Sequence, residues 1–171
     1  MPGFSRGYTL IELMTTLAVV GVLAMIGVPA FTHTVDGQRV GSTSRNLRAS
    51  LALARHAAIS QRYPVLVESI GGNWEAGWVV YIDANSNAVL DDGERELLRQ
   101  GSAPGGVQIT PNSPVNSYVR YVATGEAQLT SGAFQAGTFK ICHENGQHDV
   151  RRLVLSASGR VRSAKDSPGT C

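Results

Sequence analysis

The stretch Arg6-Gly7-Tyr8-Thr9-Leu10-Ile11-Glu12-Leu13-Met14 opens an apolar run that continues to Phe31, and Glu12 is the one charged side chain across residues 10–31. Such a run is long enough to cross a bilayer. A carboxylate within hydrocarbon costs about 3 kcal/mol on insertion scales, so Glu12 calls for a cationic partner. A cleaved secretory signal fits poorly. The segment before the run is short, no small-residue cleavage site follows it, and Glu12 interrupts it. A plain single-pass anchor is the simpler alternative, but it leaves Gly7 and Glu12 without a role. Arg6 is the only charged side chain ahead of the run, which orients the N-terminus toward the cytoplasm and the remainder outward.

These residues resemble the prepilin cleavage motif of type IV pilins and type II secretion pseudopilins. The common form of that motif is Gly followed by Phe-Thr-Leu-Ile-Glu; here Tyr8 stands in place of Phe. The resemblance implies that a prepilin peptidase cuts between Gly7 and Tyr8 and N-methylates Tyr8. It also implies that Glu12 meets the terminal amine of a neighbouring pilin in a helical filament, neutralising both charges where water is scarce and fixing the axial register. The expected location is the cell inner membrane, with one span and the globular part in the periplasm, then the pilus and cell surface after assembly.

Beyond Pro29, where a kink can be accommodated, residues 36–62 read as helix. Leu47, Leu51, Ala54 and Ala58 recur at helical spacing, while Arg45, Arg48, Arg55 and Arg62 point elsewhere. The arginines read as a solvated face packing on filament neighbours in preference to a nucleic-acid stripe. Pro64 stops the helix. A continuous helix over residues 8–62 would be about 80 Å long. Short β-branched and aromatic runs follow. They predict strands at 65–69, 77–83, 96–99, 107–110, 118–123, 138–143 and 150–156, parted by Gly- and Asn-rich breaks. Glu144-Asn145-Gly146 reads as a hairpin loop. The fold expected is α+β: a long N-terminal helix, with a membrane half and an amphipathic half, packed on a C-terminal antiparallel β-sheet domain. The divisions are a leader at 1–7, a transmembrane and filament-core helix at 8–31, an amphipathic helix at 32–63 and a β domain at 64–171.

Two further blocks narrow the family. One runs from Trp74 through Gly77-Trp78-Val79-Val80-Tyr81-Ile82-Asp83 to Asp91-Asp92-Gly93-Glu94. The other is Leu153-Val154-Leu155-Ser156, closing on Ser158-Gly159-Arg160-Val161-Arg162. Together they resemble the GspH/FimT group of minor pilins and pseudopilins, and the second block followed by Cys171 is most similar to the FimT branch. That resemblance implies a minor pilin that helps to assemble or prime a pilus and binds extracellular DNA during transformation. The alternative is a GspH-type minor pseudopilin of type II secretion with a purely structural role.

The net charge of +2 on 171 residues is ordinary and names no partner; its distribution is more informative. From residue 140 onward Lys140, Arg151, Arg152, Arg160, Arg162 and Lys165 face only Glu144, Asp149 and Asp166, whereas residues 83–96 are strongly acidic. In extended backbone Arg160 and Arg162 project to one side, where two guanidinium forks can grip successive phosphates. By resemblance Arg160 and Arg162 are the principal DNA contacts; Lys165 is added by proximity and Arg152 more weakly. The competing reading is solubilising surface charge. Few aromatics lie nearby, so the expected binding is to phosphates, indifferent to sequence and sensitive to salt.

Cys142 and Cys171 both fall in the exported part, where a pair most often bridges; two free buried thiols are the competing reading. Asp83, Asn85, Asn87, Asp91 and Glu94 match the oxygen spacing of a calcium loop. Ala88, however, stands where that loop needs glycine, and the flanks read as strands, so a structural turn is preferred over a calcium-stabilised adhesive domain. His33 and His56 on the helix, and His143 and His148 around the hairpin loop, read as surface or hairpin residues. No catalytic constellation, metal site or cofactor is expected.

Overall fold

The computed structural model describes residues 8–171. The leader, with Arg6 and the expected cleavage residue Gly7, lies outside the described residues, as do the side chains of residues 26–30, Pro29 among them. Helix α1 spans Leu10–Gln61. Thr9 starts it: its hydroxyl oxygen accepts from the Glu12 amide at 3.3 Å, and its carbonyl accepts from the amides of Glu12 and Leu13 at 3.1 and 3.2 Å. Thr-x-x-Glu is also the spacing of a capping box. At the far end Arg62 takes φ 59°, and its amide donates to the Ala58 carbonyl at 3.0 Å. That is a left-handed stop, two residues ahead of Pro64.

The chain divides into two compact units, Met1–Val35 and Asp36–Cys171. In the first, apolar side chains such as Leu10, Ile11, Leu13, Met14, Leu17 and Val20 are all exposed. A helix apolar all round requires lipid or other helices as its surroundings. Among the described residues no helix is long and apolar enough to cross a membrane. The apolar stretch whose side chains are described, residues 10–25, falls short of the about 20 residues a span requires.

In the second unit eight strands follow the helix among the described residues: β1 Val65–Ile70, β2 Asn73–Ile82, β3 Glu96–Gln100, β4 Val107–Pro111, β5 Tyr118–Tyr121, β6 Gly137–His143, β7 Asp149–Leu155 and β8 Val161–Pro168. They form two four-stranded sheets, ordered β3-β2-β1-β5 and β4-β6-β7-β8, and every pairing is antiparallel. The seven strands predicted from sequence are present with shifted ends. The eighth, β8, carries Arg-Ser-Ala-Lys-Asp in place of an apolar alternation; as an edge strand it buries little and gives no strand signal.

One core joins helix and both sheets. Val40, Leu47, Leu51, Ala54 and Ala58 of α1 meet Val65, Val67 and Val80 of the first sheet and Phe139, Ile141, Leu153 and Leu155 of the second. Two buried tryptophans need partners for their indole N–H groups. Trp78 donates to the Ser50 hydroxyl at 2.9 Å and Trp74 to the Asn116 carbonyl at 2.8 Å, while Trp74 meets Phe139 edge-on at 4.9 Å. Fully buried Gln135 accepts from the Arg120 amide and donates to the carbonyls of Pro114 and Tyr118.

A second small cluster, Leu66, Val79 and Tyr81, is covered by Ala88 and Leu90 of the β2–β3 loop and by Tyr118. In that acidic loop the carboxylates turn onto the loop's own donors. Buried Asp83 accepts from the amides of Asn87 and Ala88 at 3.0 and 3.1 Å, and Glu94 accepts from those of Ala84 and Asp91. Asp91 accepts from the side-chain amides of Asn85 and Asn87, which hold its carboxyl below its ordinary range.

The β7–β8 hairpin turns through Ser156 and Gly159, with the Gly159 amide donating to the Ser156 carbonyl at 2.8 Å. Gly159 has φ 75°, and a Cβ there would fall 2.0 Å from the Gly125 carbonyl oxygen. A disulfide joins Cys142 at the end of β6 to the chain terminus Cys171, 29 residues on.

Two outcomes follow for stability. Breaking the Cys142–Cys171 bridge by reduction, or by C142S/C171S, should lower unfolding free energy by about 3 kcal/mol, read from urea titration with and without reductant. Gly159→Ala should lose about 3 kcal/mol, through backbone collision added to left-handed strain. Gly132→Ala, at φ 84° with nothing within 4 Å, should lose only about 1 kcal/mol in the same titration.

Candidate nucleic-acid interface

The inward stripe of α1 fixes where its other residues emerge. Arg48 and Arg55 are two helical turns apart and stack along one face, beside the residues that open β8. Between them lies a groove of about 500 Å³, lined by Arg48, Leu51, Ala52, Arg55, His56 and Ile59 of α1 and by Gly159, Arg160, Val161 and Arg162. Its lining combines apolar side chains with four arginines and His56 and holds no acidic residue. Arg48, Arg160 and Arg162 are exposed, and none of the three is in an ion pair among the described residues.

Arg55 differs from the other three. It is half-buried; its Nε donates to the Gly125 carbonyl at 2.9 Å and its Nη2 to the Ser158 carbonyl at 3.4 Å. Those two bonds pin the β7–β8 turn and the turn at Gly125 against the helix. The close approach at Gly159 belongs to the same junction, since a Cβ there would also come 3.1 Å from Arg55 Nε. Tyr121 is fully buried; burial pushes its hydroxyl well above the ordinary tyrosine range, against a smaller opposing effect of the Arg55 charge.

Of the DNA contacts expected from sequence, Arg160 and Arg162 come together in this groove. Lys165 and Arg152 do not line it. Lys165 pairs with Asp149 at 2.6 Å and Arg152 with Asp166 at 3.1 Å. By strand alternation Lys165 also faces away from Arg162, whereas Arg152, opposite Ala164 in register, shares its face. Arg48, Arg55 and His56 join the site although sequence reading placed the helix arginines on a separate solvated face. The heptad spacing of Arg48 and Arg55 was the available signal, but nothing in it names β8 as the neighbour.

The four histidines separate. His33 and His56 are exposed, the latter at the groove. His143 and His148 flank the hairpin loop as expected but are buried, at 6% and 5% exposure, and are not surface residues.

An array of like charges is relieved by an anion, and planar guanidinium forks suit phosphate oxygens. No Phe, Tyr or Trp lines the groove to stack a base.

Comparison with known proteins gives the family. The sequence profile described as type II transport protein GspH matches residues 43–159, and that described as the prokaryotic N-terminal methylation motif matches residues 4–28. The type IV major alpha-pilin of Moraxella bovis is 35% identical over 63 residues, which cover 37% of this chain and 40% of that pilin. The chain thus aligns with less than half the length of that curated relative. Among solved structures, the type IV minor pilin FimU of Pseudomonas aeruginosa superposes with a TM-score of 0.57 at 24% identity, over 78% of this chain and 92% of its own. The minor pseudopilin EpsH from the type 2 secretion system of Vibrio cholerae does so with a TM-score of 0.55 at 13% identity, over 74% and 97%. At such identities the likeness is one of fold, a long N-terminal helix followed by antiparallel sheets. With the GspH profile across most of its length and an N-terminal methylation motif at its start, the chain belongs to the GspH family, whose members are structural, non-enzymatic proteins.

Proposed function

We propose that this protein is a FimT-like minor type IV pilin that helps to assemble or prime the pilus and binds extracellular DNA for uptake in natural transformation. The observation that carries the DNA reading is the groove in which Arg48 and Arg55 of the helix converge with Arg160 and Arg162 of the β7–β8 hairpin, without an acid between them. DNA phosphates are its ligand, and binding is indifferent to sequence. Lys165 and Arg152 act as supporting contacts once their exposed ion pairs, which are worth little in water, open near phosphate.

The filament role rests on the N-terminal segment. Cleavage after Gly7 and N-methylation of Tyr8 yield a cationic terminus, and Glu12 of a neighbour is its counter-charge. Glu12 is exposed, and its carboxylate has no cationic partner among the described residues. Before assembly the apolar helix holds the subunit in the inner membrane with the second unit in the periplasm. A GspH-type pseudopilin of type II secretion, structural only, is the second reading, favoured by the profile that matches residues 43–159. DNA binding separates the two.

Among the described residues every buried apolar side chain lies within 36–171, which suits that segment to a binding assay. Gel shift should show retention that weakens steeply with salt. The R160Q/R162Q pair should abolish retention at physiological salt and reduce the log–log salt slope by about 2. R48Q should weaken binding in the same direction, with thermal melting unchanged. Wild-type affinity in R160Q/R162Q would remove the DNA reading and leave the structural pseudopilin. Glu12→Val should leave cleavage and methylation intact by mass spectrometry while incorporation into sheared filaments falls to background.

A further inference from the structure

Where α1 enters the second unit, Asp36 faces the β6–β7 hairpin. One carboxylate oxygen lies 3.6 Å from His143 Nε2, and the His143 and His148 rings stand edge to face, 5.4 Å between centroids. One donor atom from each of Asp36, His143 and His148 lies within 4.8 Å of the other two. We propose that these three side chains form a site for a divalent transition-metal ion of the zinc class, which clamps the helix to the β6–β7 hairpin.

The Asp36–His143 spacing fits an ion better than a hydrogen bond, and the other donor pairs, within 4.8 Å, close toward the same spacing when the ion binds. At 3.6 Å the oxygen and nitrogen are too far apart for a good hydrogen bond. They are close to the roughly 3.3 Å that separates two ligands each about 2.0 Å from a tetrahedral centre. The donor types select the ion: two imidazoles and one carboxylate suit Zn²⁺, Ni²⁺ or Cu²⁺, whereas Ca²⁺ and Mg²⁺ take oxygen. Three protein ligands leave a fourth position for water.

The surroundings hold these donors in place. Both histidines are buried, and the Asp36 side chain is 19% exposed, which leaves a way in. His143 follows Cys142, whose disulfide anchors the terminus, and the His148 carbonyl accepts from the Gly169 amide at 3.3 Å. Gly106 leaves room for the His143 ring, and Gly37 lies beside the His148 ring. A Cβ at Gly106 would fall 2.4 Å from His143 Nε2, and one at Gly37 would fall 3.4 Å from His148 Nδ1.

Two local contacts change on binding. The Asn145 amide approaches His143 Nδ1 at 3.4 Å, which puts the ring proton on Nε2, toward Asp36. The ion replaces that proton, which moves to Nδ1, and the weak loop contact opens. Arg39, exposed and 3.0 Å from the same Asp36 oxygen, yields to the ion.

The test is calorimetric titration of the full chain in detergent micelles, disulfide intact, with zinc chloride and separately with calcium chloride. One Zn²⁺ should bind per chain at micromolar affinity, with no Ca²⁺ uptake at these residues. Bound Co²⁺ should give the intense visible bands of four-coordination. Melting should rise by about 5–10 °C at a hundredfold excess of Zn²⁺ over Kd. H143Q, H148Q and D36N should each weaken Zn²⁺ binding by about tenfold or more, and H33Q should not. Failure of the wild type to bind Zn²⁺ would overturn the site. So would unchanged affinity in D36N, which alters a partly buried carboxylate on the helix and keeps the test open if a histidine variant fails to fold.

Discussion

The second unit depends on a single buried seam, the stripe of Leu47, Leu51, Ala54 and Ala58 that α1 lays on both sheets. Residues three and four apart share one helix face, so only one rotation of the helix buries all of them. The Trp78 indole N–H bonded to the Ser50 hydroxyl, inside the same seam, adds a directional lock to a non-directional force. Once that rotation is set, Arg48 and Arg55 emerge beside the β7–β8 hairpin. The basic groove is thus a consequence of core packing.

Covering the first sheet on both faces explains an otherwise odd strand. β2 is buried at every position from Trp78 to Ile82, although a strand with one wet face alternates. The helix covers one side; Ala88, Leu90 and Tyr118 cover the other. The acidic β2–β3 loop is shaped for this cover. Its carboxylates bond the loop's own amides, so the backbone stays folded over Tyr81 and Leu66.

The sequence revealed much of this because its strongest signals are local. The apolar N-terminal run, the helical spacing of Leu47, Leu51, Ala54 and Ala58, and the β-branched runs of β1, β2 and β6 read directly. What escaped was long-range or masked by polarity. β8 is an edge strand rich in charge, legible only through the turn that starts it. The Thr9 cap was hidden within a motif read for other chemistry. Arg55 touches residues at 125 and 158, and Asp36 stands near His143 and His148; no spacing in one chain announces such meetings. Lys165 joins the expected contacts by its proximity to Arg162, and Arg152 only as a weaker member of the same basic cluster; in the fold Lys165 pairs with Asp149 and Arg152 with Asp166.

Arg55 has given two of its donors to carbonyls from separate turns, so it is mortar as well as charge. A lysine there would preserve the formal charge but could not present two fixed donors along a planar fork. The electrostatic field would survive while the surface that displays it slackened. Two homologues with equal counts of basic residues can therefore differ in whether this surface exists at all.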